Sequence, residues 1–325
     1  MRKLFTISLL FIFITGFLST QIFADEADYK PTVIVVVGAG GTNEYQVQFN
    51  NSGNLWQNAC AKGNANYIPI GLSPVDDIND IDILRKAIEN QSNETDAAIW
   101  LVFIGHGTFD GQTAKFNLRG PDVSADDLAK WLKPIKRPIA VINASSSSSP
   151  FINKLSGPDR VIITATKSGF ELSYARFGLF FTEVMLESSS DLDKDGQTSL
   201  LEAFLAAARQ VEEFYSAAGR LATEHALIDD NGDGMGTSAD WYQGIKPVQR
   251  GVGNKSPDGY RAHQFCLIPS ELESKMPYEM RAKRDELELK VIKLRDSKES
   301  YTEDEYFSKL EELLFQIAKI YDEID

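Results

Sequence analysis

Two short stretches hold residue types able to make or break bonds. In "FIGHGTFDG", Phe103 to Gly111, His106 stands between two glycines just after an apolar run. Those glycines leave room for backbone N–H groups to approach a ligand. In "INASSSSSPF", Ile142 to Phe151, Ser145 to Ser149 follow a second apolar run. An imidazole beside a hydroxyl is the minimum for nucleophilic catalysis, because the base takes the proton as the oxygen attacks. A serine run elsewhere would read as a flexible linker. Here Ala144 closes a strand-like run, and Ser149-Pro150 has the N-cap and first-turn signature of a helix. Ser145 to Ser148 are therefore expected in a tight strand-to-helix turn, next to the positive end of a helix dipole. The run lacks Gly-x-Ser-x-Gly, which argues against the nucleophile elbow of an α/β-hydrolase.

Metal chemistry is the second theme. "DLDKDGQTSLLE" places Asp191, Asp193 and Asp195 at loop positions 1, 3 and 5, Gly196 at 6, Gln197 at 7, Ser199 at 9 and Glu202 at 12. That spacing wraps hard oxygen ligands around calcium, with the carbonyl of Gln197 and a bidentate Glu202 completing the set. The alternative is a solvated acidic turn capping the helix that follows. "DDNGDGMGTSAD" repeats the pattern more weakly through Asp229, Asn231, Asp233, Gly234 and Asp240, with Gly236 where an apolar residue is usual. Calcium in a structural role is the cofactor these loops suggest. His225 and His263 read as structural residues, and the three histidines and two cysteines show no zinc spacing. Cys60 and Cys266 are either a disulfide or two free thiols.

The elements that must position these residues alternate. "TVIVVV", "YIPIGL", "AAIWLVFIGHG", "RPIAVINAS" and "DRVIITATKSG" are strand-like, and each runs into glycine, histidine or serine. Between them, "DINDIDILRKAIEN" and "SADDLAKWLKPI" carry helical periodicity. Continuous apolar strands alternating with helices predict an α/β fold, a mainly parallel sheet flanked by helices. Sites in such sheets form beyond the carboxyl ends of the strands. The first of those ends, Gly38-Ala39-Gly40-Gly41, lacks the last glycine of a dinucleotide loop.

Composition narrows the partners. The net charge is −14, and loss of a leader carrying Arg2 and Lys3 would take it to −16. Such a field disfavours nucleic acid and anionic lipid. The basic start, the apolar run from Leu4 to Phe17 and "IFA" ending at Ala24 read as an export signal, with an uncleaved anchor as the alternative. No later run is apolar for long enough to span a membrane. From Glu271 to Asp325 the chain becomes highly charged, with two amphipathic helical patterns broken near "DSKESYTEDE". The expected organisation is a leader at 1–24, an α/β domain at 25–270 and a helical hairpin at 271–325, docked or self-associating into a homo-oligomer.

In order and spacing, these stretches resemble the legumain-like and caspase-like cysteine peptidases. In that family a strand ending in Gly-His-Gly precedes one ending in Ala-Cys-x-Ser-Gly. Here "FIGHGTFDG" matches the first, "VINASSSSSPF" falls on the second, and "ATKSGFELSYA" is similar to the segment lining the specificity pocket. The likeness covers roughly residues 31 to 190. It implies a parallel sheet flanked by helices, His106 at the general-base position, Ser145 at the position of the nucleophilic cysteine, and a pocket touching Gly107, Glu171 and Ser173. It also exposes departures. A thiol ionises near a pKa of about 8.5, whereas a serine hydroxyl must lose its proton to an oriented base as it attacks. No orienting acid is assigned, Ser148 stands where glycine is expected, and Gln46 and Val47 replace the family's Arg-His pair. The resemblance therefore implies a peptidase-fold protein that binds a peptide or protein ligand without cleaving it. The rival readings are a Ser145–His106 hydrolase and a structural protein that assembles through its C-terminal helices.

Overall fold

The computed structural model describes residues 30–73, 78–249 and 256–324; the leader expected at 1–24 lies outside them. Strand β1 (Thr32–Val37) is buried along its whole length, as a run of β-branched residues with no polar face requires. Its side chains alternate between two cores. Val33, Val35 and Val37 face α1 (Asn43–Lys62) and the helices α5 (Phe177–Val184) and α6 (Leu200–Ala217). Ile34 and Val36 face α2 (Asp80–Glu89), α3 (Ala125–Leu132) and α4 (Pro150–Leu155).

Strands β2 (Asn66–Ile70), β3 (Ile99–Ile104), β7 (Ile139–Asn143) and β8 (Arg160–Thr164) run parallel with β1 in the order β2-β1-β3-β7-β8. Antiparallel β9 (Leu227–Asp229) and β10 (Thr237–Ser238) extend the β8 edge. The mainly parallel sheet flanked by helices is thus the observed architecture. The chain order reverses at β1, with β2 on one side and β3 on the other, which makes the ends of β1 and β3 a topological switch point. The register aligns Phe103 with Asn143 and Asn143 with Thr164, which brings the segments after three strands to one edge.

"TAKFNLRG" forms part of a separate three-stranded antiparallel sheet of β4 (Gly107–Phe109), β5 (Ala114–Phe116) and β6 (Val123–Ser124), seated over that edge. Ser124 then caps α3 in a reciprocal box with Asp127. A small hairpin, β11 (Tyr242–Gln243) and β12 (Lys246–Pro247), precedes the short α7 (Tyr260–His263). Beyond it come α8 (Glu271–Lys275), α9 (Tyr278–Asp296) and α10 (Glu303–Asp322). The last two pack around Leu287 and Ile320 over Met276. Arg284 anchors this unit through Glu273 and Asp285. Phe307, Leu314 and Phe315 remain exposed on α10. No described helix is long and apolar enough to cross a membrane.

Trp56 of α1 is fully buried, packs on Trp100 and Phe181, and donates its indole N–H to the Thr182 hydroxyl at 3.1 Å. Removing a buried indole leaves a cavity, while the Thr182 hydroxyl keeps its bond to Gly178 C=O. Trp56→Ala should therefore cost about 3–5 kcal/mol in chemical denaturation, and Trp56→Phe clearly less.

Candidate functional site

The serine turn begins where the β7 ladder stops. Ala144 N–H still donates to Phe103, and Asn143 C=O still accepts from Ala165. The next four residues are all buried, so their backbone groups need partners from side chains. Asn143 Oδ1 accepts from the Ser145 N–H at 3.2 Å and from its hydroxyl at 2.7 Å. The Ser146 hydroxyl accepts from Gly107 N–H and donates to Gly107 C=O. Ser148 N–H donates to the Thr166 hydroxyl, and Ala165 N–H donates to the Ser148 hydroxyl. Ser147 adopts a left-handed φ of 56° and donates its N–H to Glu171 C=O. Its hydroxyl and the Asn143 amide nitrogen have no partner among the described residues. Ser149, expected as an N-cap, is itself helical and makes no side-chain cap; its N–H goes to Thr166 instead.

His106 is half-buried among aromatic rings, with centroids 4.9 Å from Tyr45, 5.1 Å from Phe49 and 5.8 Å from Tyr174. Its Nε2 lies 3.3 Å from Gly40 C=O. Only a protonated Nε2 can donate there, which leaves the lone pair on Nδ1. Burial lowers the imidazole pKa, and the Gly40 contact opposes that only in part. The ring is therefore neutral at pH 7. Among the described residues no hydrogen bond joins His106 to Ser145, whose side chain is 0% exposed and engaged with Asn143. The glycine after His106 serves packing: a Cβ on Gly107 would lie 2.2 Å from Ser146 C=O and 2.7 Å from Ser145 Oγ. Its N–H, expected to face a ligand, is taken by Ser146.

The pocket positions are also occupied. The Glu171 carboxylate accepts from Lys167 N–H at 3.0 Å and His225 N–H at 3.3 Å, and pairs with His225 Nδ1 at 2.6 Å. That His225 meets Glu171 across a sequence separation of 54 residues was not legible in the sequence. Ser173 is exposed beside it. Gln46 turns inward, accepting from Gly40 N–H and donating to Asn50. Val47 points outward. Both cysteines are free thiols, and burial pushes Cys60 up to about 12.

The acidic loops fold alike. Asp191 accepts from Lys194 and Gly196 N–H groups, and Asp229 accepts from Gly232 and Gly234 at the same spacings. Asp193 and Asn231 each accept from the residue two further on, as do Asp195 and Asp233. Left-handed φ values fall at matching places, 68° and 90° for Lys194 and Gly196 and 78° and 74° for Gly232 and Gly234. Carboxylate oxygens of Asp191, Asp193 and Asp195 lie within 4.8 Å of one another. Burial, then the Asp195 and Glu202 charges, raise the Asp193 pKa. Glu202 does not join that cluster. One oxygen accepts from Leu192 and Asp193 N–H groups, the other from Ser199 in a capping box. The Gln197 side chain binds Ser270 and Asp195. Asp240 accepts from the Ser238 hydroxyl. A cavity of about 600 Å³ lies at the other end of the strands, between Trp100 and α9, and includes neither His106 nor Ser145.

No protein-family model matches the chain, and no curated protein matches it. Among solved structures it is similar in shape to the Drosophila initiator caspase Dronc, at 14% identity and a TM-score of 0.42 over 66% of this chain and 84% of that one. Caspase-1 from Spodoptera frugiperda gives 10% identity and a TM-score of 0.42 over 62% and 87% of the two chains. The structure of pro-sf-caspase-1 gives 11% and 0.36 over 58% and 80%. The similarity is one of shape, and no residue role follows from it.

A histidine whose folded pKa is depressed binds fewer protons than it does unfolded, so it opposes folding as pH falls through the unfolded value of about 6.5. NMR titration should place the His106 midpoint below that value. In His106→Phe the part of the stability loss between about pH 7 and pH 5 that belongs to this group should disappear.

Proposed function

We propose that this chain is an exported, catalytically silent relative of the caspase-like and legumain-like peptidases. It binds a peptide or protein ligand over the loops beyond β1, β3, β7 and β8, and calcium stabilises it. The observation that carries the silent reading is the state of Ser145. Its oxygen is enclosed, donates its proton to Asn143 and has no hydrogen bond to His106. Serine catalysis needs the opposite: an accessible oxygen with an oriented base within hydrogen-bond reach. What remains is an edge of ordered loops at a topological switch point, the usual place for a ligand in this architecture.

Calcium fits the donor chemistry of the first loop. Asp191, Asp193 and Asp195 would hold the ion, and its charge would offset the mutual repulsion of three carboxylates. Glu202, committed to its capping box, would act as the bracket that fixes loop to helix. Asp229, Asn231 and Asp233 would offer a second, less charged set on the same loop geometry.

Two measurements test these statements. A fluorophosphonate probe and a peptide library should give neither labelling nor cleavage with wild type or Ser145→Cys. Labelling at Ser145 that vanishes in Ser145→Ala would sink the silent reading. Millimolar calcium should raise the melting temperature, with about 2.7 kcal/mol gained at a hundredfold excess over Kd. Asp191→Asn with Asp193→Asn should lose most of that gain. A melting temperature indifferent to calcium and to chelator would remove the metal from the account.

A further inference from the structure

The cavity of about 600 Å³ at the other end of the strands has the size of a small-molecule site. Its lining comes from Pro31, Ala98 and Pro138, the residues just before β1, β3 and β7, from α9, and from the first acidic loop. Trp100, Phe265, Tyr278 and Leu289 contribute aromatic and apolar surface. Two nitrogen atoms of lining residues are enclosed and have no partner among the described residues, Arg281 Nε and His263 Nδ1. An enclosed polar group without a partner is costly. A guanidinium N–H can only donate, so what it lacks is an acceptor.

Most other charges of the lining are already matched. Arg284 takes Glu273 and Asp285 and reaches Glu288 at 3.8 Å, Arg261 pairs with Asp159, and Glu286 pairs with Lys290. Arg281 feels the charge of Asp285, but the Asp285 carboxylate pairs with Arg284 at 2.7 Å. What stands unmatched is the Arg281 side chain on α9 and, on the loop, Asp195 and an Asp193 that only His263 approaches, at 3.4 Å; Asp96 is exposed to solvent.

As they stand, the two loop aspartates oppose an anion. Calcium on the loop would offset that opposition, and the inference rests on that reading. The ion would also keep open coordination positions. Both Glu202 oxygens stay in hydrogen bonds to Leu192, Asp193 and Ser199, and three aspartates fall short of the about six to eight oxygens calcium takes.

We propose that this cavity binds small organic carboxylates with an aromatic or apolar body, that Arg281 is the donor holding the carboxylate, and that binding requires calcium on the loop of Asp191, Asp193 and Asp195. By linkage, such a ligand raises the affinity for calcium by the same factor as calcium raises the affinity for the ligand.

The probe is 2-naphthoate, with 2-naphthalenemethanol and 2-naphthylmethylamine as its neutral and cationic counterparts. Each is titrated by fluorescence into the full chain, stripped by chelator and dialysed, with and without millimolar calcium. Naphthoate should bind at least about tenfold more tightly with calcium than without, and more tightly than either counterpart. Arg281→Met, checked for fold by circular dichroism, should lose at least about tenfold in naphthoate affinity while keeping the rise in melting temperature that calcium gives. Equal naphthoate affinity without calcium, tighter binding of the amine, or affinity unchanged in Arg281→Met overturns the inference and leaves the calcium reading standing. So does a melting temperature that responds to calcium in a protein that binds no naphthoate. A melting temperature indifferent to calcium overturns both.

Discussion

The edge of the sheet is governed by one constraint: β7 runs out of ladder partners while the chain is still inside the protein. Up to Ala144 the neighbouring strands satisfy its backbone. From Ser145 to Ser148 the chain turns, remains buried and pairs with no described strand. An unpaired buried N–H or C=O costs about as much as a lost hydrogen bond, and the side chains available locally are hydroxyls. The serine run is therefore a supply of short donors and acceptors. Ser146 closes on both polar groups of Gly107, Ser148 bridges Thr166 and Ala165, and Asn143 reaches forward to Ser145. The Ser145 hydroxyl is thus held by Asn143. Architecture and the proposed loss of chemistry thus have the same cause.

The same packing fixes the histidine. The serine turn presses so closely on Gly107 that any Cβ there would collide with it. His106, the residue before Gly107, lies in the cage of Tyr45, Phe49 and Tyr174. Aromatic walls exclude water, which favours the neutral ring, and Gly40 selects the tautomer. Among the described residues the imidazole makes no hydrogen bond to Ser145, whose hydroxyl donates to Asn143. Outside the cage, Phe170 and Leu172 stand exposed on the turn that Glu171 braces.

How much of this the sequence carried depends on the range of the interactions. The parallel strands were legible because burial on both faces demands unbroken apolar runs, and the acidic loops because cation ligands demand fixed spacing. Helix α1 was not. Its sequence is rich in asparagine and glutamine, and Gly53 lies on its buried face because Leu72 and Val37 approach to 3.0 Å of where a Cβ would be. Burial of four successive serines was equally hidden, since hydroxyl residues are mostly exposed and only the neighbouring Gly107 and Thr166 make the interior tolerable. The Glu171–His225 pair depends on the β8–β9 pairing to bring distant segments together. Cap signatures were local and read correctly at Ser124, but at Ser149 the contact with Thr166 took precedence over the cap.

The two acidic loops also do something their spacing did not announce: both hold the segment that leads into the C-terminal helices. From the first loop, Gln197 accepts from Ser270 N–H, Ser199 bridges to Cys266, and Leu200 N–H donates to Phe265 C=O. From the second, Asp230 accepts from Gly259 and Ala262 N–H groups, while Asp258 accepts from Asp230, Asn231 and Thr237. Burial raises the pKa of both carboxylates, and each further opposes the ionisation of the other or of a neighbour. Buried carboxylates are tolerated only because backbone N–H groups converge on them. The segment from Asp258 to Ser270 therefore rests on the same short stretches of backbone that shape the loops. Loop geometry and the seating of the segment before α8 thus share the same hydrogen bonds, those of Gln197, Asp230 and Asp258.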